Sequence, residues 1–330
     1  MVKKICKRFL ISIVSLVIIS VISFALMQLA PGGPMAMYAE NPKISAADKE
    51  RIKIQLGLDK PAYIRYFLWM ERITLHGDLG RSYKTGRPVA TEITERLPAT
   101  LILMFTAYLI AVGIAIPIGI YSATHRYSFA DYLVTFGSFF GLSLPTFWFG
   151  LLMILIFALF LRVFPAGGYL TPWFSPSDYP LLVRPFAVIW EHFRYLIMPA
   201  LVLGLASIAS WSRYMRSQML EVVNQDYIRT ARAKGVPEKK VIYKHAFRNA
   251  LTPLITIMAL DLPGLFSGAL VTETIFAWPG MGRLFINSVF SRDYQVLMGI
   301  TMMTAVLVLI FNFIADILYA VLDPRVKYEG

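Results

Sequence analysis

The side chains in this chain that could do chemistry are few and far apart. Four histidines, His76, His125, His192 and His245, and one cysteine, Cys6, are scattered without metal-ligand or nucleophile–base spacing. One cysteine excludes an internal disulfide and a thiolate cluster. No G-x-x-x-x-G-K-[ST] phosphate loop occurs, and the run from Gly235 to Lys240 is not one. Neither covalent catalysis nor a metal or cofactor held by this chain is expected. Two kinds of charge remain to be explained. One is Asp261, near the middle of an apolar stretch, where an ionisable group is costly in lipid and faces protein or water. It reads either as a carboxylate lining a path for a polar or cationic solute, or as a hydrogen-bond partner for a neighbouring helix or subunit. The other is a basic stretch from Arg213 to Arg248, with nine Lys or Arg against Glu221, Asp226 and Glu238.

The elements around these charges are those of a membrane protein. Hydrophobic residues make up 57% and charged residues 16% of the 330. Several runs of about 20 residues carry almost no charge, which is the mark of membrane-crossing helices. Residues 1–8 are a basic N-terminus. Residues 9–30 read as a retained first span ended by Pro31-Gly-Gly33, and 31–98 as an extracytoplasmic subdomain. In that subdomain Ser45 and Asp48 form a capping box for a helix through Leu56 with Gly57 at its end, and a second helix runs from Pro61 to about Ile73. A five-helix core occupies 99–320, with spans at about 99–123, 131–161, 196–211, 250–272 and 296–320. Pro117 predicts a bend, and Pro145 and Leu262-Pro-Gly264 predict breaks. Residues 162–195 form an external loop rich in Pro, Trp and Tyr, 212–249 the basic loop, and 321–330 the tail.

Six spans place both termini on one side. The short loops on that side hold Arg126, the nine basic residues of the loop, and Arg325 and Lys327 of the tail; opposite them stand Arg162, Arg184, Arg194, Arg283 and Arg292. The bias puts the N- and C-termini in the cytoplasm of a multi-pass plasma-membrane protein. The net charge of +12 is then explained without nucleic acid, for which no aromatic–basic module accompanies the charge. No internal repeat signals the halves of a secondary transporter. Gly264 and Gly268 form a G-x-x-x-G step that reads as close helix packing, between two permease subunits for example, or else as a device that widens the path. Asp316, near the inner end of the last span, reads as structural.

The basic loop has helical form. A helix over about 224–234 would be closed by Gly235, with Pro237 opening the next turn. Val223, Tyr227, Ile228 and Ala231 recur at near-helical spacing as an apolar seam, shaped to dock into a partner's groove. Contact with lipid headgroups is the plainer alternative.

The motif Tyr227-Ile-Arg-Thr-Ala-Arg-Ala-Lys-Gly235 resembles the cytoplasmic "EAA" motif of ABC importer permeases in its peptide-branch form. Arg229 stands at the usual glutamate, Thr230 and Ala231 at the two alanines, and Gly235 at the motif glycine. The run from His245 to Pro253 fits the same branch. The likeness extends over essentially the whole chain, through Phe24 to Pro34, Gly77-Asp-Leu-Gly80 with Ser82, Leu97-Pro-Ala-Thr100, and Gly268-x-x-Val-x-Glu273-x-x-Phe-x-x-Pro279-Gly-x-Gly282. It is closest to the B-type permease subunit of bacterial dipeptide, oligopeptide and nickel importers.

The resemblance implies an all-α, six-helix transmembrane domain of a type I ABC importer, embedded in membrane lipid and pairing with a homologous second permease. Two separate ATPase subunits would use ATP and Mg, and an extracytoplasmic substrate-binding protein would deliver peptide. Tyr227, Arg229, Thr230, Ala231, Lys234, Gly235, Val236 and Pro237 would form the ATPase-coupling helix. Glu273, Trp278, Pro279, Gly280 and Gly282 would shape an outer gate or meet the binding protein. A nickel or other small-solute permease of the same family, and a transporter that works without ATPases, are the rival readings.

Overall fold

The computed structural model describes residues 2–29, 35, 45–55 and 57–322. Pro31 to Gly33, Leu56 and residues 323–330 lie outside the described residues, as do the surroundings of Cys6, Gly268 and Asp316. Among the described residues the regular structure is helical, apart from one isolated bridge between Arg81 and Pro88. Four helices are long and apolar enough to cross a membrane: Leu10–Leu29, Val89–Thr124, Arg184–Val223 and Tyr294–Ala315. Two bent pairs bring the number to six if each is one span. The chain divides into two compact units, residues 1–99 with 280–310, and residues 100–279 with 311–330.

In the first unit α1 (Val2–Leu29), α2 (Ala46–Gln55) and α3 (Ala62–His76) precede the start of α4 (Val89–Thr124), and α11 (Met281–Phe290) leads into α12 (Tyr294–Leu322), which belongs to this unit as far as Ile310. Ser45 caps α2 as its sequence predicts, its Oγ accepting the Asp48 N–H at 3.1 Å. Helix α3 runs past Ile73 to His76, where Gly77 at φ 62° lets Asp78 N–H reach the Arg72 carbonyl at 3.1 Å. Trp69 is buried with Met298 and Met302, and Phe24 of α1 packs on the same cluster. At this contact Ser20 and the Tyr66 hydroxyl lie 2.8 Å apart. A second cluster joins Val89 and Ile93 of α4 to Met281, Val296 and Ile300.

The second unit is built on α4 from Thr100 onward, α5 (Phe129–Ser143), α6 (Thr146–Met153, continued as π-helix to Phe160) and α7 (Arg184–Val223). Then come α8 (Asp226–Ala233), a single turn Glu238–Lys240, a π-helical turn Val241–Ala246, α9 (Phe247–Asp261) and α10 (Gly264–Ile275). Helices α4 and α7 cross closely at two glycines. A Cβ on Gly119 would sit 2.6 Å from the Met215 Cβ, and one on Gly204 would sit 3.0 Å from the Ala107 carbonyl oxygen. Small residues admit this approach, and Ala111, Ala115, Trp211, Met215 and Met219 fill the seam beside it.

The expected breaks are present. Helices α5 and α6 meet at 109° at Leu144-Pro145, and the segment ending in α9 meets α10 at 45° at Leu262-Pro263. A proline ring removes one hydrogen bond and clashes with the preceding turn. At Pro117 the outcome differs from a break: α4 continues to Thr124. Two helices extend beyond the expected spans. Helix α4 starts at Val89 and not Ala99, and α7 covers Arg184–Val223 and not only 196–211. Apolarity marks the part of a helix that sits in hydrocarbon, whereas its polar ends remain helical beyond it.

Candidate coupling helix and translocation path

Helix α8 is eight residues long and ends in the way its sequence predicts. Gly235 takes φ 74°, its N–H reaches the Arg232 carbonyl at 2.9 Å, and Val236 N–H reaches the Ala231 carbonyl at 3.2 Å. This pair of bonds is a Schellman closure, which a residue with a Cβ enters only with strain. Pro237 then sits at φ −54°, ψ 137° ahead of the next turn. Arg232 closes over the bend, donating to Glu238 at 2.7 and 3.1 Å. The Glu238 carboxylate holds the Arg232 guanidinium above its usual value, so the cation of this pair is permanent.

The helix is keyed to the bundle by one side chain. Ile228 is fully buried in the cluster that holds Met219 and Val222 of α7, Val241 of the π-helical turn, and Ala250 and Leu254 of α9; Val223, Ala231 and Val236 pack against it. The expected apolar seam is therefore filled by the chain's own core. Tyr227 is not part of it and is 44% exposed. Residues 228 and 231 lie about one turn apart on the inner face, and Tyr227, about 100° from Ile228 and about 40° from Ala231, stands at the edge of that face. The face left open carries Tyr227, Arg229, Thr230 and Lys234. Arg229 is 71% exposed and pairs only loosely with Asp226, at 3.6 Å.

A polar knot at the same end of the unit was not anticipated. The Asp131 side chain is buried and accepts from Arg216 Nε at 2.7 Å and Nη2 at 2.8 Å, from Tyr127 N–H at 3.0 Å, and from the Ser122 hydroxyl. Ser128 caps α5 at the Asp131 N–H, 3.2 Å away. The knot ties the ends of α4 and α5 to α7, one turn before the Met219–Val222 seat of Ile228. Ser128-x-x-Asp131 was visible as a capping pattern, but Arg216, 85 residues away, was one basic residue among nine.

Asp261 closes α9. Its carboxylate accepts the Trp211 indole N–H at 2.7 Å, and the residue is otherwise exposed. It borders a cleft of about 480 Å³ lined also by Leu142, Thr146, Ser207, Ser210 and Gly264. The carboxylate thus combines a bond to a neighbouring helix with an open edge on this cleft. Gly264 is on the same cleft, and a Cβ built there meets nothing within 4 Å.

The turn after α10 is packed from inside. Glu273 is fully buried and accepts the Thr100 hydroxyl at 2.6 Å, while its own carbonyl accepts the Trp278 N–H at 2.9 Å. Trp278 is buried against Tyr169 of the long loop, edge to face at 4.9 Å. The loop is pinned by Gly168 N–H on the Phe276 carbonyl at 2.8 Å, and by the buried Glu191, which accepts the Thr171 N–H at 3.1 Å and the Thr171 hydroxyl. Glu273 and Trp278 therefore hold a turn and offer no surface to an outside protein in this conformation. Pro279 closes this unit; Gly280, extended at φ −97°, precedes α11 and with Gly282 belongs to the first unit.

In the first unit, the buried Asp293 organises the loop before α4. It accepts the Ser82 hydroxyl at 2.5 Å, Tyr83 N–H at 3.1 Å and Lys84 N–H at 3.2 Å, and Gln295 donates to the Leu79 carbonyl at 2.9 Å. Gly80 lies against the Gln295 side chain, where a Cβ would collide. These contacts give the Gly77–Ser82 motif a structural role. Asp293 also accepts the Val296 N–H at 3.4 Å at the start of α12, but its loop partners lie more than 200 residues away and left no local signal. Among the described residues no group of three or more His, Cys, Asp or Glu could hold a metal ion.

Helices long and apolar enough to cross a membrane, two bent pairs among them, and a short helix keyed into the core define a multi-pass membrane protein. Residues 115–328 match the family of binding-protein-dependent transport system inner membrane components, and residues 1–104 match the N-terminal family of the same membrane components. The chain belongs to this family. It is 47% identical to the oligopeptide transport system permease protein AppB of Bacillus subtilis, over 98% of this chain and 99% of that one. It is 40% identical to the probable D,D-dipeptide transport system permease protein DdpB of Escherichia coli, over 94% of each chain. A putative peptide permease protein of Brucella ovis is 40% identical over 97% of each.

Proposed function

We propose that this chain is the permease subunit of an ATP-driven peptide importer and that α8 receives the stroke of a separate ATPase. The observation that carries the proposal is the division of α8 into two faces. Ile228 is buried in a cluster shared with α7 and α9, while Tyr227, Arg229, Thr230 and Lys234 face outward. A push on the outer face moves Ile228, and Ile228 moves the seat formed by Met219, Val222 and Val241. The Schellman closure at Gly235 and the Arg232–Glu238 pair stiffen the far end of α8, so the motion is passed on and not absorbed.

Trp211 and Asp261 lie at the other end of this chain of contacts, since Trp211 belongs to the same buried cluster. In this reading the cleft beside Asp261 is half of a path completed by a homologous second permease. The Asp261 carboxylate meets the ammonium group of a passing peptide. The basic end of the bundle faces the cytoplasm with both termini, ATP and Mg are handled by two partner ATPases, and an external binding protein delivers the substrate.

The test is uptake by proteoliposomes holding the complete complex, with peptides of graded length and nickel as competitors. Peptide competition with ATP-dependent uptake supports the reading. Transport that persists without ATPase chains, or that only nickel competes, overturns it.

A further inference from the structure

A large cleft of the second unit lies off the proposed path. It measures about 1000 Å³ and is walled by Ile116, Ile120 and Tyr121 of α4, Val134 of α5, and Tyr243 and Phe247 beyond α8. Its wall is apolar where Ile116, Pro117 and Ile120 line it, and it turns polar toward Thr124 and His125. Tyr243 also borders an adjoining hollow formed by Pro237, Lys239, Lys240 and Lys244. Glu238, the acid on the cleft, is already engaged by Arg232 at 2.7 Å. Lys239, Lys240 and Lys244 have no ion pair among the described residues.

The rim has the chemistry of a membrane interface. Tyr121 stacks on His125 with centroids 4.3 Å apart, and the Arg126 guanidinium lies 4.5 Å over the Tyr127 ring. Aromatic rings with polar tips sit at the headgroup level of a bilayer, and basic pockets on the cytoplasmic side of helix bundles attract acidic headgroups. A protein segment would meet the same apolar wall, but the unneutralised lysines of the hollow that adjoins it at Tyr243 favour an anionic group.

We infer that this cleft is a site for an anionic phospholipid of the inner leaflet, with acyl chains along α4 and the phosphate at Lys239, Lys240 and Lys244. The inference rests on the proposed orientation, with the α8 end in the cytoplasm. A lipid held there would touch both α4 and the turn after α8, and would make coupling depend on leaflet composition.

The experiment uses the assembled complex reconstituted in equal amounts of phosphatidylglycerol and phosphatidylcholine, then extracted for native mass spectrometry. The wild type should retain phosphatidylglycerol in preference. Lys239→Gln, Lys240→Gln and Lys244→Gln together should lower that retention on the order of tenfold, leaving phosphatidylcholine unchanged. Ala123→Trp, which fills the cleft, should lower both lipids; the lysine triple variant serves as the arm that leaves the core intact. Equal retention of the two lipids by the wild type, or no change in the triple variant, overturns the site. So does cross-linking of a cysteine placed at Ala123 to another subunit, which would put protein in the cleft. ATPase chains counted in the same spectra separate the two readings. A complex that keeps its ATPases without a lipid preference loses only the lipid site, and one that shows the preference without ATPases loses the coupling assignment.

Discussion

The Trp211 indole N–H is bonded to the Asp261 carboxylate at 2.7 Å, so the end of α9 is held to the middle of α7 beside the open cleft. The bond leaves part of the carboxylate available to solute. Asp261→Asn keeps an acceptor for Trp211 and removes the charge. It should lower uptake of peptides with a free N-terminus more than of N-acetylated ones, with ATPase association unchanged. Trp211→Phe should cost about 1 kcal/mol of stability through the lost hydrogen bond, since water reaches the freed carboxylate. Comparative uptake and thermal unfolding in detergent check the two arms.

The Asp131–Arg216 pair predicts a larger and different effect. Removing one partner of a buried ion pair costs about 3–5 kcal/mol, reduced here because the Arg216 side chain is 26% exposed. Asp131→Asn should therefore lower the unfolding temperature and loosen α5 from α7, visible as faster amide exchange at 127–131. Replacing both residues with apolar ones of similar volume should recover stability. A double variant as unstable as the single one would contradict this account of the knot.

Gly235 tests the stiffness of the bend. Gly235→Ala forces a Cβ into φ 74° and should cost about 1 kcal/mol. A Cβ there meets nothing within 4 Å, so the effect is one of backbone strain and not collision. Peptide-stimulated ATP hydrolysis should fall, while basal hydrolysis by the assembled ATPases persists.

Asp293→Ala should release the 82–84 loop, which depends on it for three of its bonds. Limited proteolysis should then cut between Gly80 and Pro88 where the wild type resists. Transport should fall in step with that cleavage.

The parts of this fold that could be read from the chain are those with local physical causes. Pro145 and Pro263 break helices because of their own ring chemistry, Ser45 and Ser128 start helices through their hydroxyls, and Gly235 ends one because it alone tolerates that backbone. The limits of α4 and α7 were not legible, since their polar ends satisfy the helix but not the hydrocarbon. The face of α8 was misjudged at Tyr227 because an apolar aromatic residue can pack or lie open, and only the neighbours of Ile228 decide which. Asp131 with Arg216, and Asp293 with Ser82, are contacts between distant stretches and left no mark in either. The two roles considered for Asp261 were left open by the sequence because both need the same carboxylate.

The central claim concerns the outer face of α8, and it is tested most directly by reversing that face without touching its core side. Arg229 and Lys234 are exposed, so Arg229→Glu with Lys234→Glu should leave folding and membrane insertion intact. The measurement is the amount of ATPase subunit that co-purifies with the tagged permease. A loss of at least about tenfold, the size expected when two charge contacts become repulsive, together with loss of uptake, is the predicted result. Wild-type amounts of ATPase and undiminished uptake would contradict the assignment of α8 as the coupling helix.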